Sequence, residues 1–173
     1  MRKGQHHIIT RIYYSPCGTL ILGSYDDRLC LCDWQVQPHH YHVESRLCRM
    51  LGAEIVDSTS PVIELSVAQL DEYFSGKRHD FDIPLLFAGT DFQKMVWNAL
   101  LDIPYGMTVS YSEMARRIGR PEAVRAVANA NGANAISIFA PCHRVIGSDR
   151  TLTGYGGGLD AKEYLLKLEN SLI

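Results

Sequence analysis

Apolar positions recur with two different periods along the chain, and the change of period divides it near residue 87. Ile8–Tyr14, Thr19–Tyr25 and Leu29–Trp34 are short runs rich in β-branched and aromatic residues. The turn formers Ser15-Pro16-Cys17-Gly18 and Asp26-Asp27-Arg28 separate them, which predicts an antiparallel meander. The polar segment Gln35–His42 reads as a loop. Ser60-Pro61 opens a helix with proline in its first position, and Ile63, Val67, Leu70 and Phe74 line one face before Gly76 ends it. Phe81–Leu85 reads as a short extended piece, and Phe87-Ala88-Gly89 as a joint between domains.

Beyond the joint the helical period dominates. Thr90-Asp91-Phe92-Gln93 has the form of a capping box and predicts a helix with Phe92, Val96, Ala99 and Leu100 inward. Ile103-Pro104-Tyr105-Gly106 breaks it. Ser110-Tyr111-Ser112-Glu113 reads as a second capping box, opening a helix with Met114, Ala115 and Ile118 on its apolar face. Gly119 closes that helix, and Pro121 starts another that runs to Asn131. Two short helices joined by Gly119-Arg120 form a helix-turn-helix outline. The second is rich in alanine (123, 126, 128 and 130), so its surface is thin enough to approach a groove floor, although alanine is also simply a good helix former. Ile136–Ala140 reads as a strand, and Asp160 as the cap of a last helix with Ala161, Leu165 and Leu168 inward.

Composition narrows the class. The 173 residues, 46% hydrophobic and 21% charged, suit a soluble globular protein of one or two domains, with no run long enough to span a membrane. Five scattered cysteines argue against a disulfide framework and for a reducing, cytosolic or nuclear compartment. Residues 1–85 carry 8 Lys and Arg against 11 Asp and Glu, while residues 86–173 carry 9 against 8. The basic side chains concentrate at Arg116, Arg117, Arg120 and Arg125, either a phosphate-binding face or a solvated one.

The chemistry concentrates at Pro141-Cys142-His143-Arg144. Thiolate is the nucleophilic form of cysteine, and adjacent cations are what lower a thiol pKa. Neighbouring side chains on an extended backbone point to opposite faces, so His143 is expected to reach Cys142 through a water or a third group. A small buried cysteine at a strand end is the competing reading. Gly154-Tyr155-Gly156-Gly157-Gly158 permits close approach of backbone to a ligand. Glu169 stands near a helix C-terminus, where the macrodipole disfavours an anion, so it requires a partner.

Together these residues resemble the O6-alkylguanine-DNA alkyltransferases. The matching stretches are Gly89–Trp97 (GTDFQKMVW), Ile103–Gly106, Ser110-Tyr111, Arg125–Val127, Asn131–Asn134, Pro141–Val145 (PCHRV), Gly154–Gly158 and Lys162–Leu166, in order and at compatible spacings. The resemblance covers residues 89 to 169; residues 1–85 share only a β-then-helix plan. It implies an α/β (α+β) fold: a ribonuclease-H-like sheet-and-helix supporting domain over residues 1–86, and a winged-helix-like DNA-binding domain over 87–173 that carries the active site. It implies an irreversible, single-turnover transfer of the alkyl group from O6-alkylguanine (and O4-alkylthymine) in double-stranded DNA to Cys142. His143 and Glu169 are implied as its activators through a bound water, and Asn134 as the residue ordering the turn. Tyr111 is implied at the target phosphate, Tyr155, Gly156 and Gly157 at the guanine pocket, and Arg125 as the side chain filling the vacated base stack. Ala123, Ala126 and Asn131 are implied at the DNA surface. Arg144 reads as structural. No cofactor and no metal are implied: Cys30, Cys32, His39, His40 and His42 fit no structural zinc spacing. The expected protein is a monomer, without a membrane partner, in the cytoplasm or a eukaryotic nucleus.

Two other readings keep their place at this stage. A Cys-His hydrolase needs a histidine opposite the thiol, and after His79 the chain offers only His143. A non-enzymatic lesion-binding module has no use for Cys142.

Overall fold

In the computed structural model, which describes residues 6–171, the first half is a four-stranded sheet with two helices. Strands β1 (His7–Ser15), β2 (Gly18–Tyr25) and β3 (Arg28–Trp34) form the meander expected from their alternation. Asp26 and Asp27 both take positive φ, 51° and 58°, the twist that a two-residue hairpin turn demands. The sheet is mixed rather than antiparallel: β4 (Glu54–Asp57) pairs parallel with β1, giving the order β3-β2-β1-β4. Helix α1 (His39–Leu51) replaces the latter part of the loop expected over Gln35–His42. Its inward residues are His40, Val43 and Leu47. A histidine opens the buried stripe, and that polar entry hid the helical period. Helix α2 (Pro61–Phe74) begins as expected, the Ser60 hydroxyl accepting the amide of Ile63. Residues 81–86 run extended along β3, Leu86 N–H donating to the Leu29 carbonyl.

The second half is helical. Thr90 and Gln93 close a full capping box on α3 (Asp91–Leu100), whose Trp97 indole donates to the Ala130 carbonyl at 2.8 Å. Short β5 (Val109–Ser110) leads into α4 (Tyr111–Arg117), where Ser110 accepts the amide of Glu113. Only half of the second capping box forms, because the Glu113 carboxylate turns to Arg116 and Arg117. Helix α5 (Val124–Gly132) starts later than Pro121; residues 120–123 make a turn closed by Ala123 N–H on the Arg120 carbonyl. Short β6 (Val145–Ile146) pairs with β5, and α6 (Leu159–Leu168) closes the described fold. Gly158 rather than Asp160 caps α6; Asp160 lies in the first turn, where its charge suits the dipole.

Two apolar cores result. The first joins the sheet and α2 (Leu20, Leu22, Leu31, Ile63, Leu70), and it also takes in Ile136, Ile138, Phe139 and Leu165 from the second half. The second holds Val96, Trp97, Leu100, Met114, Val127, Cys142 and Val145. The segment leading to Cys142 therefore crosses from one core to the other. Among the described residues no helix is long and apolar enough to cross a membrane.

Candidate active site

The expected strand over Ile136–Ala140 is instead a turn, and Asn134 is the reason. Its Nδ2 donates to the Ala140 carbonyl at 2.9 Å and its Oδ1 accepts the Ile136 amide at 3.0 Å. One side chain thus satisfies backbone groups that would otherwise need a neighbouring strand. From outside, β3 grips the same turn: Cys32 N–H donates to the Ala135 carbonyl and Ser137 N–H to the Cys32 carbonyl, both at 2.8 Å. Ile138 is buried at φ +74°, a conformation that a β-branched residue adopts only under constraint. Cys142 then opens a single 3₁₀ turn, Cys142–Arg144. Asn131, expected at the DNA surface, is turned inward at 3% exposure, and its Nδ2 donates to the Cys142 carbonyl at 3.3 Å.

Behind the turn, Glu169 gathers a set of donors. Its Oε2 accepts from His143 Nε2 at 2.7 Å, from the Tyr73 hydroxyl at 2.5 Å and from Arg144 at 3.1 Å. Its Oε1 accepts from Arg144 Nε at 2.8 Å and from the Gly106 amide at 3.3 Å. Burial pushes its pKa up, but the bonds and charges of His143 and Arg144 outweigh that and hold the carboxylate well below its usual range. The anion that sequence alone left awkwardly placed is therefore the hub of the buried network. Nothing in the sequence pointed to Tyr73, which reaches it from α2.

These contacts fix the state of His143. Glu169 can only accept, so Nε2 carries the proton and Nδ1 is left with a lone pair. Nδ1 is buried without a partner among the described residues. Burial lowers the His143 pKa against the opposing pull of Glu169, so the ring is neutral. Arg144 is spent on Glu169 and on the Ile103 carbonyl. Neither of the two cations expected to depress the Cys142 thiol is thus free to do so. The sulfur, 3% exposed, is pushed upward by burial, with the Asn134 side chain, the charge of Lys162 and Ser137 acting the other way.

Lys162 is the group that sequence reasoning overlooked. It is fully buried, with no carboxylate partner among the described residues; its Nζ donates to the carbonyls of Val145 at 2.7 Å and Thr153 at 2.9 Å and lies 5.9 Å from the centre of the Tyr111 ring. Burial pushes its pKa down to about 8, with the Cys142 charge opposing. A lysine at the fourth position of an amphipathic helix looks solvent-facing in sequence; only the tertiary packing turns it inward.

The remaining candidates fall into two groups. Tyr155 belongs to the site: its ring meets Trp34 edge-on at 5.8 Å, its hydroxyl is buried, and burial together with the Cys142 charge raises its pKa. Tyr111, half-buried at the start of α4, accepts a long 3.4 Å hydrogen bond from Thr153. Arg125 and Ala126 are exposed on α5 and Ala123 half-exposed at its cap, on the outer face of the helix-turn-helix rather than at the sulfur. Among the described residues no three or more His, Cys, Asp or Glu side chains converge as metal ligands.

A sheet domain joined to a helix-turn-helix, with a cysteine set on a strained turn between them, defines a protein that pairs nucleic-acid-binding architecture with thiol chemistry. Residues 8–87 match the ribonuclease-like domain of 6-O-methylguanine DNA methyltransferase and residues 91–171 match its DNA-binding domain. The chain is 61% identical over 103 residues to the methylated-DNA–protein-cysteine methyltransferase of Methanosarcina barkeri, an alignment covering 60% of this chain and 65% of that protein's length. It is 52% identical over 121 residues to the inducible enzyme of that name from Bacillus subtilis, covering 70% of this chain and 67% of the relative. The crystal structure of Mycobacterium tuberculosis OGT in complex with DNA superposes with a TM-score of 0.80 at 44% identity, over 94% of this chain and 93% of that one. The chain belongs to the 6-O-methylguanine DNA methyltransferase family.

Proposed function

We propose that the protein removes the alkyl group from O6-alkylguanine, and from O4-alkylthymine, in double-stranded DNA by transferring it irreversibly to its own Cys142. The observation that carries the reading is the buried cysteine backed by a neutral histidine whose Nε2 is committed to Glu169 and whose Nδ1 is free to take a proton. The relatives' names and the DNA complex of the mycobacterial protein support the substrate class.

An alkyl group stacked inside a duplex does not reach a buried sulfur. The nucleotide leaves the stack at a cost of a few kcal/mol. Arg125 fills the gap and the small Ala123 and Ala126 let α5 lie against the minor groove, while Tyr111 holds the target phosphate. In the pocket, His143 takes the thiol proton through a bound water, and Glu169 stabilises the imidazolium that forms. The Lys162 charge favours the thiolate that remains. The sulfur attacks the alkyl carbon, the S–C bond forms as the C–O6 bond breaks, and the guanine anion takes a proton from the hydroxyl of Tyr111 or Tyr155. The proton that His143 took from the thiol makes good that loss, so the net transfer is from sulfur to guanine. The product thioether has no carbonyl for water to attack, so each molecule acts once and no cofactor takes part. Residues 1–86 support the turn and 87–173 carry the chemistry, in a monomer that works in the cytoplasm or, in a eukaryote, the nucleus.

Intact-mass analysis after incubation with O6-methylguanine duplex tests the proposal. One methyl group should appear, mapping to Cys142, with no gain in Cys142→Ala. Repeated turnover by one protein molecule would overturn it.

A further inference from the structure

The glycine-rich loop is free at its ends and pinned at its centre. Gly154 and Gly158 sit at positive φ, 22° and 88°, with open space where a Cβ would stand, so both can act as hinges. Between them the loop lies against the other half of the protein. A Cβ on Gly157 would come within 2.5 Å of the Trp34 indole, and one on Gly156 within 2.7 Å of His39 Nε2. Tyr155 packs edge-on against the same indole.

The two stops differ in stiffness. Trp34 is 1% exposed at the end of β3 and is a fixed floor. His39, at the start of α1, has a partly exposed side chain held by one bond, Nε2 to the buried Asp33 at 3.1 Å. Asp33 is itself anchored by His40 at 2.8 Å, and His40 is gripped on its other side by Glu44 at 2.9 Å. Burial raises the Asp33 pKa, but the bonds from His39 and His40 outweigh that and keep it ionised. His39 and the loop border one open cleft of about 880 Å³, which Tyr111, Ala128 and Asn129 also line. Tyr155 borders that cleft and Cys142, 3% exposed, does not, so access to the sulfur depends on how far the loop can move against His39 and Trp34.

Building on the alkyl-transfer reading, we propose that His39 and Trp34 are specificity-determining residues: as the backstop of the 154–158 loop, they set how bulky an O6 substituent the pocket admits. His39 is the adjustable stop, aimed by Asp33. It acts through the loop and is therefore a positioning residue.

The test compares single-turnover transfer from O6-methylguanine duplex and from O6-benzylguanine base, using the full chain. His39→Ala should raise the benzyl-to-methyl rate ratio about tenfold, the discrimination expected when a pocket gains a small group's worth of room. His39→Gln, which can still bond Asp33, should stay closer to the parent. Gly156→Ala should slow benzyl transfer in the parent but much less when combined with His39→Ala, since the clash it creates is with His39. An unchanged ratio in His39→Ala, or a Gly156→Ala penalty that is the same with and without His39, overturns the assignment. Loop swing is also read without any transfer, by iodoacetamide labelling of Cys142 followed by peptide mapping, which should quicken in His39→Ala. Labelling that does not change defeats the inference even if no alkyl transfer exists, whereas failure of transfer in the parent protein defeats the functional reading alone.

Discussion

Glu169 accepts hydrogen bonds from His143, Tyr73, Arg144 and a backbone amide within one buried site, and removing its charge leaves Arg144 uncompensated there. Breaking a buried pair from one side costs about 3–5 kcal/mol. Glu169→Gln should lower stability by that order in urea unfolding and should also slow methyl transfer, because the imidazolium of His143 loses its counter-charge. Lys162 joins no ion pair among the described residues; its Nζ is held by the Val145 and Thr153 carbonyls. With the sulfur pushed up by burial and Lys162 opposing that push, Lys162→Met should move the pH profile of single-turnover transfer to higher pH. A far-UV circular dichroism spectrum identical to the parent's, with an unmoved profile, would show that Lys162 only fills space. In the sequence, Cys142 and His143 stood out through the Pro-Cys-His-Arg pattern and Glu169 through its place against the helix dipole. Lys162 and Tyr73 did not, since their roles exist only once α6 and α2 face the same turn.

At the level of elements, local chemistry was readable where it was strong and failed where a distant partner decided. The Thr90–Gln93 box formed in full; Thr90→Ala should cost about 1 kcal/mol in a denaturant midpoint measurement. Ser110 capped α4, but Glu113 found arginines closer than the cap. Ile136–Ala140 has strand composition, yet Asn134 and Cys32 bend it into a turn that no period could reveal. Helix α1 hid behind its histidines, and β4 is too short and too exposed to show a pattern. Helix α5 presents Arg125 outward. If Arg125 serves eversion of the target base, Arg125→Ala should slow transfer from duplex DNA by up to the few kcal/mol that eversion costs. Transfer from free O6-benzylguanine, which needs no eversion, should keep its rate. Equal loss on both substrates would place Arg125 in the fold instead.

For the molecule as a whole, opposed pKa shifts give stability a two-sided pH dependence. Glu169 and Asp33 are held below their usual range, so their contribution is present above an unfolded carboxylate pKa of about 4 and disappears as pH falls through the native values. His143 is lowered as well, and the unfolded chain's readier protonation below about pH 6.5 adds to the acid limb. His40 is raised, chiefly by its bond to Asp33, so its contribution is complete below about pH 6.5 and fades as pH climbs through the native value. Urea midpoints across pH 4–8, below the range in which the unfolded chain's thiols ionise, should therefore fall at both ends, and His40→Asn should flatten the upper side while sparing the acid one. Finally, the hydrogen bonds by which Cys32 clasps Ala135 and Ser137 run between backbones, so they are indifferent to side-chain identity but exacting about alignment. A chimaera grafting the sheet of one relative onto the helices of another should work where that clasp keeps its registration and the shared core and the Tyr73–Glu169 bond are kept with it, and a single-residue insertion in β3 should spoil it.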